Sequence, residues 1–111
     1  AFGWLTAIAE SIRGTPADLQ VVGHADGTPL PGGDRFRDNW ELAGARAAEA
    51  VRYLGSKGVK AEQMMLGGKV SSGKDPEERA VTIHLHIRDP AAAAEVRQRL
   101  EERGVGQGPL P

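Results

Sequence analysis

Cysteine is absent from the 111-residue chain. Disulfides, zinc–thiolate centres and cysteine nucleophiles are excluded together. Aromatics are scarce, at 5%, so a core must be assembled from small and aliphatic side chains. No apolar run approaches the roughly 20 residues of a membrane-spanning helix, and no secretion signal is visible. Net charge is nearly absent too, formally −1. Without a basic field, nucleic acid is not an expected partner and neither is an anionic membrane surface. Any ligand must be held by a local constellation. The length suits one domain, which can fold alone without much margin. The chain opens on Ala1 rather than Met, which reads as a piece of a longer protein.

Residues 2–13 read as a helix, with Leu5, Ile8 and Ile12 at helical spacing and Gly14, Thr15 and Pro16 as its stop. Asp18 to Gly23 reads as a strand. Its Leu19, Val21 and Val22 make a near-continuous apolar run, which suits a strand covered on both faces. His24 to Asp38 is a long polar loop carrying Gly27, Pro29, Pro31, Gly32 and Gly33. Loops above about 12 residues in a small domain are usually functional or disordered, and this one, bracketed by a strand and a strong helix start, is read as functional. Asn39 to Lys57 is the clearest helix. Asp38 and Glu41 make a capping-box start, and Trp40, Ala43, Ala47, Val51 and Leu54 the expected buried stripe. Gly58 suits the left-handed residue that ends a helix.

A short strand is expected over 63–66, followed by a turn at Gly67–Gly68. Residues 80–88 alternate strictly. Val81, Ile83, Leu85 and Ile87 face one way; Thr82, His84, His86 and Arg88 face the other, as in a half-exposed antiparallel strand. Asp89 then caps a third helix with Pro90 at its first position, a thin stripe of Ala93, Val96 and Leu100, and Gly104 after its end. The order of elements predicts an α/β two-layer sandwich. One domain is expected over 1–103, with a flexible tail over 104–111.

Gly23-His24-Ala25-Asp26 stands where the first strand gives way to the long loop. Asn39-Trp40-Glu41-Leu42-Ala43-Gly44-Ala45-Arg46-Ala47 opens the second helix, which continues Val51-Arg52-Tyr53-Leu54 and closes on Gly58-Val59. On these motifs the chain resembles the OmpA/MotB family of peptidoglycan-binding domains, over about residues 19–87. That family has a Gly-His-Thr-Asp strand end and an Asn-x-x-Leu-Ser-x-x-Arg-Ala helix. The Asn-Trp-Glu-Leu start and the longer loop look closer to its flagellar stator and type VI secretion branch than to its porin branch. The resemblance implies an OmpA-like mixed sheet with helices on one face, here with an extra C-terminal helix. The family's first strand, ahead of the first helix, has no counterpart in this sequence. The resemblance further implies a periplasmic or cell-envelope module that is not an enzyme and needs no cofactor. Such a module binds peptidoglycan non-covalently and anchors a larger, membrane-attached envelope protein. The alternative is a degenerate domain serving protein–protein assembly or homodimerisation without cell-wall binding.

The implied ligand is the zwitterionic end of diaminopimelate in the peptide stem. Carried over, Asp26 accepts from its ammonium and Arg46 grips its carboxylate, with His24, Asn39 and Arg79 as further candidate ligand-binding residues. One carboxylate beside one guanidinium complements one free amino-acid terminus, and the arginine fork gives a carboxylate two parallel hydrogen bonds. Backbone N–H groups at the helix start can add to the anion site. The plain alternative is a structural Asp26–Arg46 salt bridge, though an exposed pair adds only ~0–1 kcal/mol. Some positions depart from the family: Ala25 replaces the usual Thr and Ala43 the usual Ser. Glu78, Arg79 and Ala80 stand where Asn-Arg-Arg precedes the strand valine, Val81.

Other constellations carry less chemistry. Gly68-Lys69-Val70-Ser71-Ser72-Gly73-Lys74-Asp75 comes close to a phosphate-binding loop, but Asp75 replaces the hydroxyl residue and would repel phosphate. His84 and His86, with His24, have a spacing a metal could use, but two strand histidines on one face are ordinarily solvated, and no metal is expected. Ser71 and Ser72 lack a nucleophile-elbow pattern.

Overall fold

The computed structural model describes residues 3–30, 35–72 and 81–105. Helix α1 spans Gly3–Ser11. Strand β1 (Asp18–Ala25) follows, then helix α2 (Asn39–Ser56) and a short 3-10 turn at Ala61–Gln63. Strands β2 (Met64–Val70) and β3 (Val81–His86) and helix α3 (Pro90–Glu102) complete the chain. The sheet order is β2-β1-β3, with β2 parallel and β3 antiparallel to the central β1. This is the expected mixed α/β sandwich. Among the described residues no strand precedes α1.

Alternation along the strands sets the two faces. Leu19 and Val21 of β1 pair with Leu85 and Ile83 of β3, and together they look toward the helices. Leu5 and Ile8 of α1, Ala47, Ala50 and Leu54 of α2, and Val96 and Leu100 of α3 close one core over them. The other face of the sheet carries Asp18, Gln20, Val22 and His24 beside Thr82, His84 and His86. Gln20, His84 and His86 are exposed there and Val22 is half-buried. The expectation of β1 covered on both faces therefore fails. Val21-Val22 reads as a continuous apolar run, yet the two side chains point to opposite faces of the sheet.

Two other expectations are corrected. Gly67 and Gly68 make no turn. They lie inside β2, paired with Val22 and Gly23. Residues 68–70 of the phosphate-loop-like run are therefore strand, and Gly73, Lys74 and Asp75 lie outside the described residues. Trp40 does not join the buried stripe and is 62% exposed, whereas Ala50 is buried. At about 100° per residue Trp40 lies within roughly 20° of Ala47 around the axis, so its direction is inward. It sits on the first turn, however, past the point where the glycines of β1 and β2 meet α2.

Helix ends follow local chemistry. The Asp38 carboxylate accepts from the Glu41 backbone N–H at 2.9 Å, while Glu41 reaches back to the Arg37 N–H at 3.2 Å. The expected box thus closes one residue early, on Arg37 rather than on Asp38. Gly58 and Gly104 follow α2 and α3 with positive φ, 101° and 77°, where a Cβ would be strained. Asp89 caps α3, accepting from Ala92 N–H, and Pro90 begins it. α3 is tied to α1 by Arg99 Nη1 donating to the Ser11 carbonyl at 3.0 Å and by an Arg103–Glu10 ion pair. Val105 packs into the core just past Gly104, and the rest of the expected tail, 106–111, lies outside the described residues. Replacing Asp38 by alanine removes a helix cap, which costs about 1 kcal/mol. A melting temperature lower by about 4 °C is expected, measured by circular dichroism.

Candidate functional site

The site begins with a missing side chain. A Cβ on Gly23 would lie 1.9 Å from the Ala43 carbonyl oxygen and 2.7 Å from the Ala47 nitrogen. The backbones of α2 and β1 touch there, and only glycine permits it. On β2, a Cβ on Gly68 would meet the Ala43 side chain at 3.4 Å. Glycines on two strands and alanines on the helix thus seat the N-terminal half of α2 on the C-terminal ends of β1 and β2.

This close approach brings Arg46 to the strand end. Arg46 is half-buried, on the flank of the Ala43–Ala47 stripe, and its Nη1 donates to the His24 carbonyl at 2.5 Å. Asp26 follows immediately after β1, and its Oδ1 accepts from the Thr28 N–H at 2.9 Å, folding the chain into an Asx turn. The Thr28 carbonyl in turn accepts from Asn39 Nδ2 at 2.9 Å. Three candidates therefore surround one loop segment. Arg46 holds its root, Asp26 its bend and Asn39 its far arm.

The other two candidates are placed differently. His24 belongs to β1 rather than to the loop. Its ring lies on the sheet face away from α2, hydrogen-bonded to Thr82 Oγ1, and it meets Arg46 through its backbone carbonyl alone. Arg79 lies outside the described residues, as do residues 31–34 of the long loop. Arg46 makes no ion pair among the described residues, so a structural Asp26–Arg46 salt bridge is not what holds loop to helix; the His24 carbonyl does that. No group of three His, Cys, Asp or Glu residues able to hold a metal occurs among the described residues.

An open hollow of about 750 Å3 lies at the other end of the sheet. It is lined by Arg13, Asp18, Lys57, Lys60 and Arg88 among others, and none of the candidate residues borders it. Arg13 there donates to the Lys57 carbonyl at the C-terminus of α2, a helix-capping contact. Asp26 and Arg46, opposite in charge and both half-buried, lie instead at the C-terminal end of β1. Sequence reasoning missed two features of this corner. One is Gly23 as a point of backbone contact, legible in principle as glycine within an apolar strand. The other is the solvent exposure of Trp40 beside Asn39.

A two-layer sandwich with a strand-end Asp, a glycine-seated helix and an Arg two turns into it defines a class, and the family comparison agrees. The OmpA family model matches residues 4–84. The chain belongs to the OmpA family. Among solved structures, the C-terminal domain of Helicobacter pylori MotB superposes with a TM-score of 0.66 at 24% identity, covering 90% of this chain and 83% of that one. The cell wall anchor of the T6SS from Pseudomonas aeruginosa gives 0.56 at 26% identity, covering 77% and 64%. The uncharacterized protein YtxE of Bacillus subtilis is 40% identical over 53 residues, which are 48% of this chain and 22% of that protein. The match thus spans less than a quarter of the length of that relative.

Proposed function

We propose that this domain attaches a larger, membrane-linked protein to the cell wall by binding peptidoglycan non-covalently in the periplasm or cell envelope. The ligand is the diaminopimelate end of the peptide stem, its ammonium on Asp26 and its carboxylate on Arg46, with Asn39 beside them. The Pseudomonas aeruginosa neighbour is a cell wall anchor by description, and the same mode of attachment is inferred for this chain. One observation carries the reading. Among the described residues the Arg46 guanidinium makes a single hydrogen bond, at the strand end, and the other N–H donors of its five are read as the grip on a carboxylate. No step of bond cleavage is assigned to the domain.

The test is co-sedimentation with purified sacculi. The wild-type domain is expected to pellet with them and to release no soluble muropeptides. A domain that stays in the supernatant overturns the reading, and release that is lost on a point change overturns its non-catalytic part. A second reading, assembly between copies of the domain, is favoured by Met65 and Leu66. Both are large, apolar and exposed on β2, which is an edge strand among the described residues. A concentration-dependent dimer without affinity for sacculi would support it.

A further inference from the structure

We propose that Trp40 is a sugar-stacking subsite, seating a pyranose ring of the glycan strand beside the peptide-binding corner. The inference rests on reading that corner as a peptide-stem site and adds a second class of contact to it.

Trp40 is 62% exposed in a chain with two tryptophans. The other, Trp4, is half-buried against the core. Leaving the largest side chain in water forgoes the burial that makes tryptophan useful in a core, so packing does not explain its presence. The backbone beneath it is fixed on both sides. Asp38 caps the turn, Glu41 clamps the Arg37 N–H, and Asn39 ties the turn to the Thr28 carbonyl. A large exposed ring on a pinned turn is a platform rather than a floppy surface residue.

Its position suits the task. Trp40 precedes Arg46 by six residues on α2, about 120° from it around the axis, with the buried Ala43 between them. Trp40 and Arg46 are separated by about 9 Å along the axis. Arg46 reaches the C-terminal end of β1 and Trp40 stands on the first turn of α2, so a ligand with its charged terminus on Arg46 has Trp40 within the span of a disaccharide-peptide. The chemistry also discriminates. The indole face is apolar and carries a negative quadrupole. The axial C–H groups on one face of a pyranose are apolar and slightly positive, while its hydroxyls point outward to water. A neutral ring of this kind stacks without stripping charges of their solvent. The surrounding Arg37, Asp38 and Glu41 are already engaged with one another or with the helix start, so they do not demand a charged ligand.

The experiment compares two ligands on one protein: a free diaminopimelate stem peptide, and the same peptide on its disaccharide. The wild type is expected to bind the disaccharide-peptide about 3- to 10-fold tighter than the peptide, the scale of one aromatic stacking contact. Trp40→Ala should erase that difference while leaving the peptide affinity and the melting temperature unchanged. Trp40→Phe should keep part of it. In a Trp4→Phe background the remaining indole emission should shift to the blue with the disaccharide-peptide and stay put with the peptide. Equal wild-type affinities for the two ligands overturn the proposal. So does a Trp40→Ala variant that weakens both ligands equally, or one that melts several degrees lower. If the free peptide does not bind at all, the peptide site has failed, and the subsite is judged on its own with oligomers of N-acetylglucosamine. An emission shift that Trp40→Ala abolishes supports it, and no shift overturns it.

Discussion

Replacing Gly23 by alanine should lower the melting temperature by about 10 °C or more. The added methyl carbon would stand 1.9 Å from the Ala43 carbonyl oxygen, where both obstructing groups are backbone. No rotamer change relieves the clash; α2 as a whole must lift away from β1. Overpacking of this kind costs about 3 kcal/mol or more when backbone must move, and a domain of this size loses roughly 4 °C per kcal/mol. Gly67→Ala is the control. A Cβ at Gly67 meets nothing within 4 Å, so its melt should stay within about 2 °C of wild type. If Gly23→Ala melts like Gly67→Ala, the close seating of α2 on the strand ends is not a constraint on the fold.

Asp26→Asn should weaken binding of a diaminopimelate stem peptide by about 30- to 1000-fold, or roughly 2–4 kcal/mol, because it leaves the ligand's ammonium desolvated and unpaired, and Arg46→Lys should weaken it clearly, by a smaller factor. The lysine keeps a positive charge but cannot make the paired fork on a carboxylate. The asparagine keeps the acceptor that turns the chain at Thr28 but loses the charge that an ammonium needs. Folding should be touched far less than binding, since Arg46 makes one hydrogen bond and no ion pair among the described residues. Isothermal titration beside thermal melts separates the effects. Equal affinities across the three proteins would sink the site as drawn. Melts lowered by many degrees in both variants would return the residues to a structural role.

Most elements were legible because their signals are local. The capping residues Asp38 and Asp89, the closing glycines Gly58 and Gly104, and the alternation from Val81 onward each act within a few residues of themselves. What escaped depends on where elements overlap. The helical stripe through Trp40 and Ala47 predicts direction correctly. It says nothing about what lies beneath the first turn, and there Trp40 stays 62% exposed. Gly67–Gly68 carries the composition of a turn, yet parallel pairing with Val22 and Gly23 holds it extended, and that pairing partner is some 45 positions earlier. The candidate site divides in the same way. The family resemblance named Asp26, Asn39 and Arg46, and they surround one loop segment. It named His24 as well, but strand alternation turns that ring to the far face, onto Thr82. The reach of Arg46 to a backbone carbonyl, rather than to Asp26, could not be read from charges alone.

Arg46 is tethered before any ligand arrives. A free arginine side chain holds about 2 kcal/mol of rotamer entropy, and a binding site that must freeze it loses that much from each association. Here the bond to the His24 carbonyl and the half-buried stem do the freezing while the domain folds. A carboxylate bound as proposed would meet a guanidinium plane whose orientation is already set, so little search would remain once the two are in contact. Loosening the tether, without touching a single ligand contact, would then appear as weaker affinity with a more unfavourable entropy of binding.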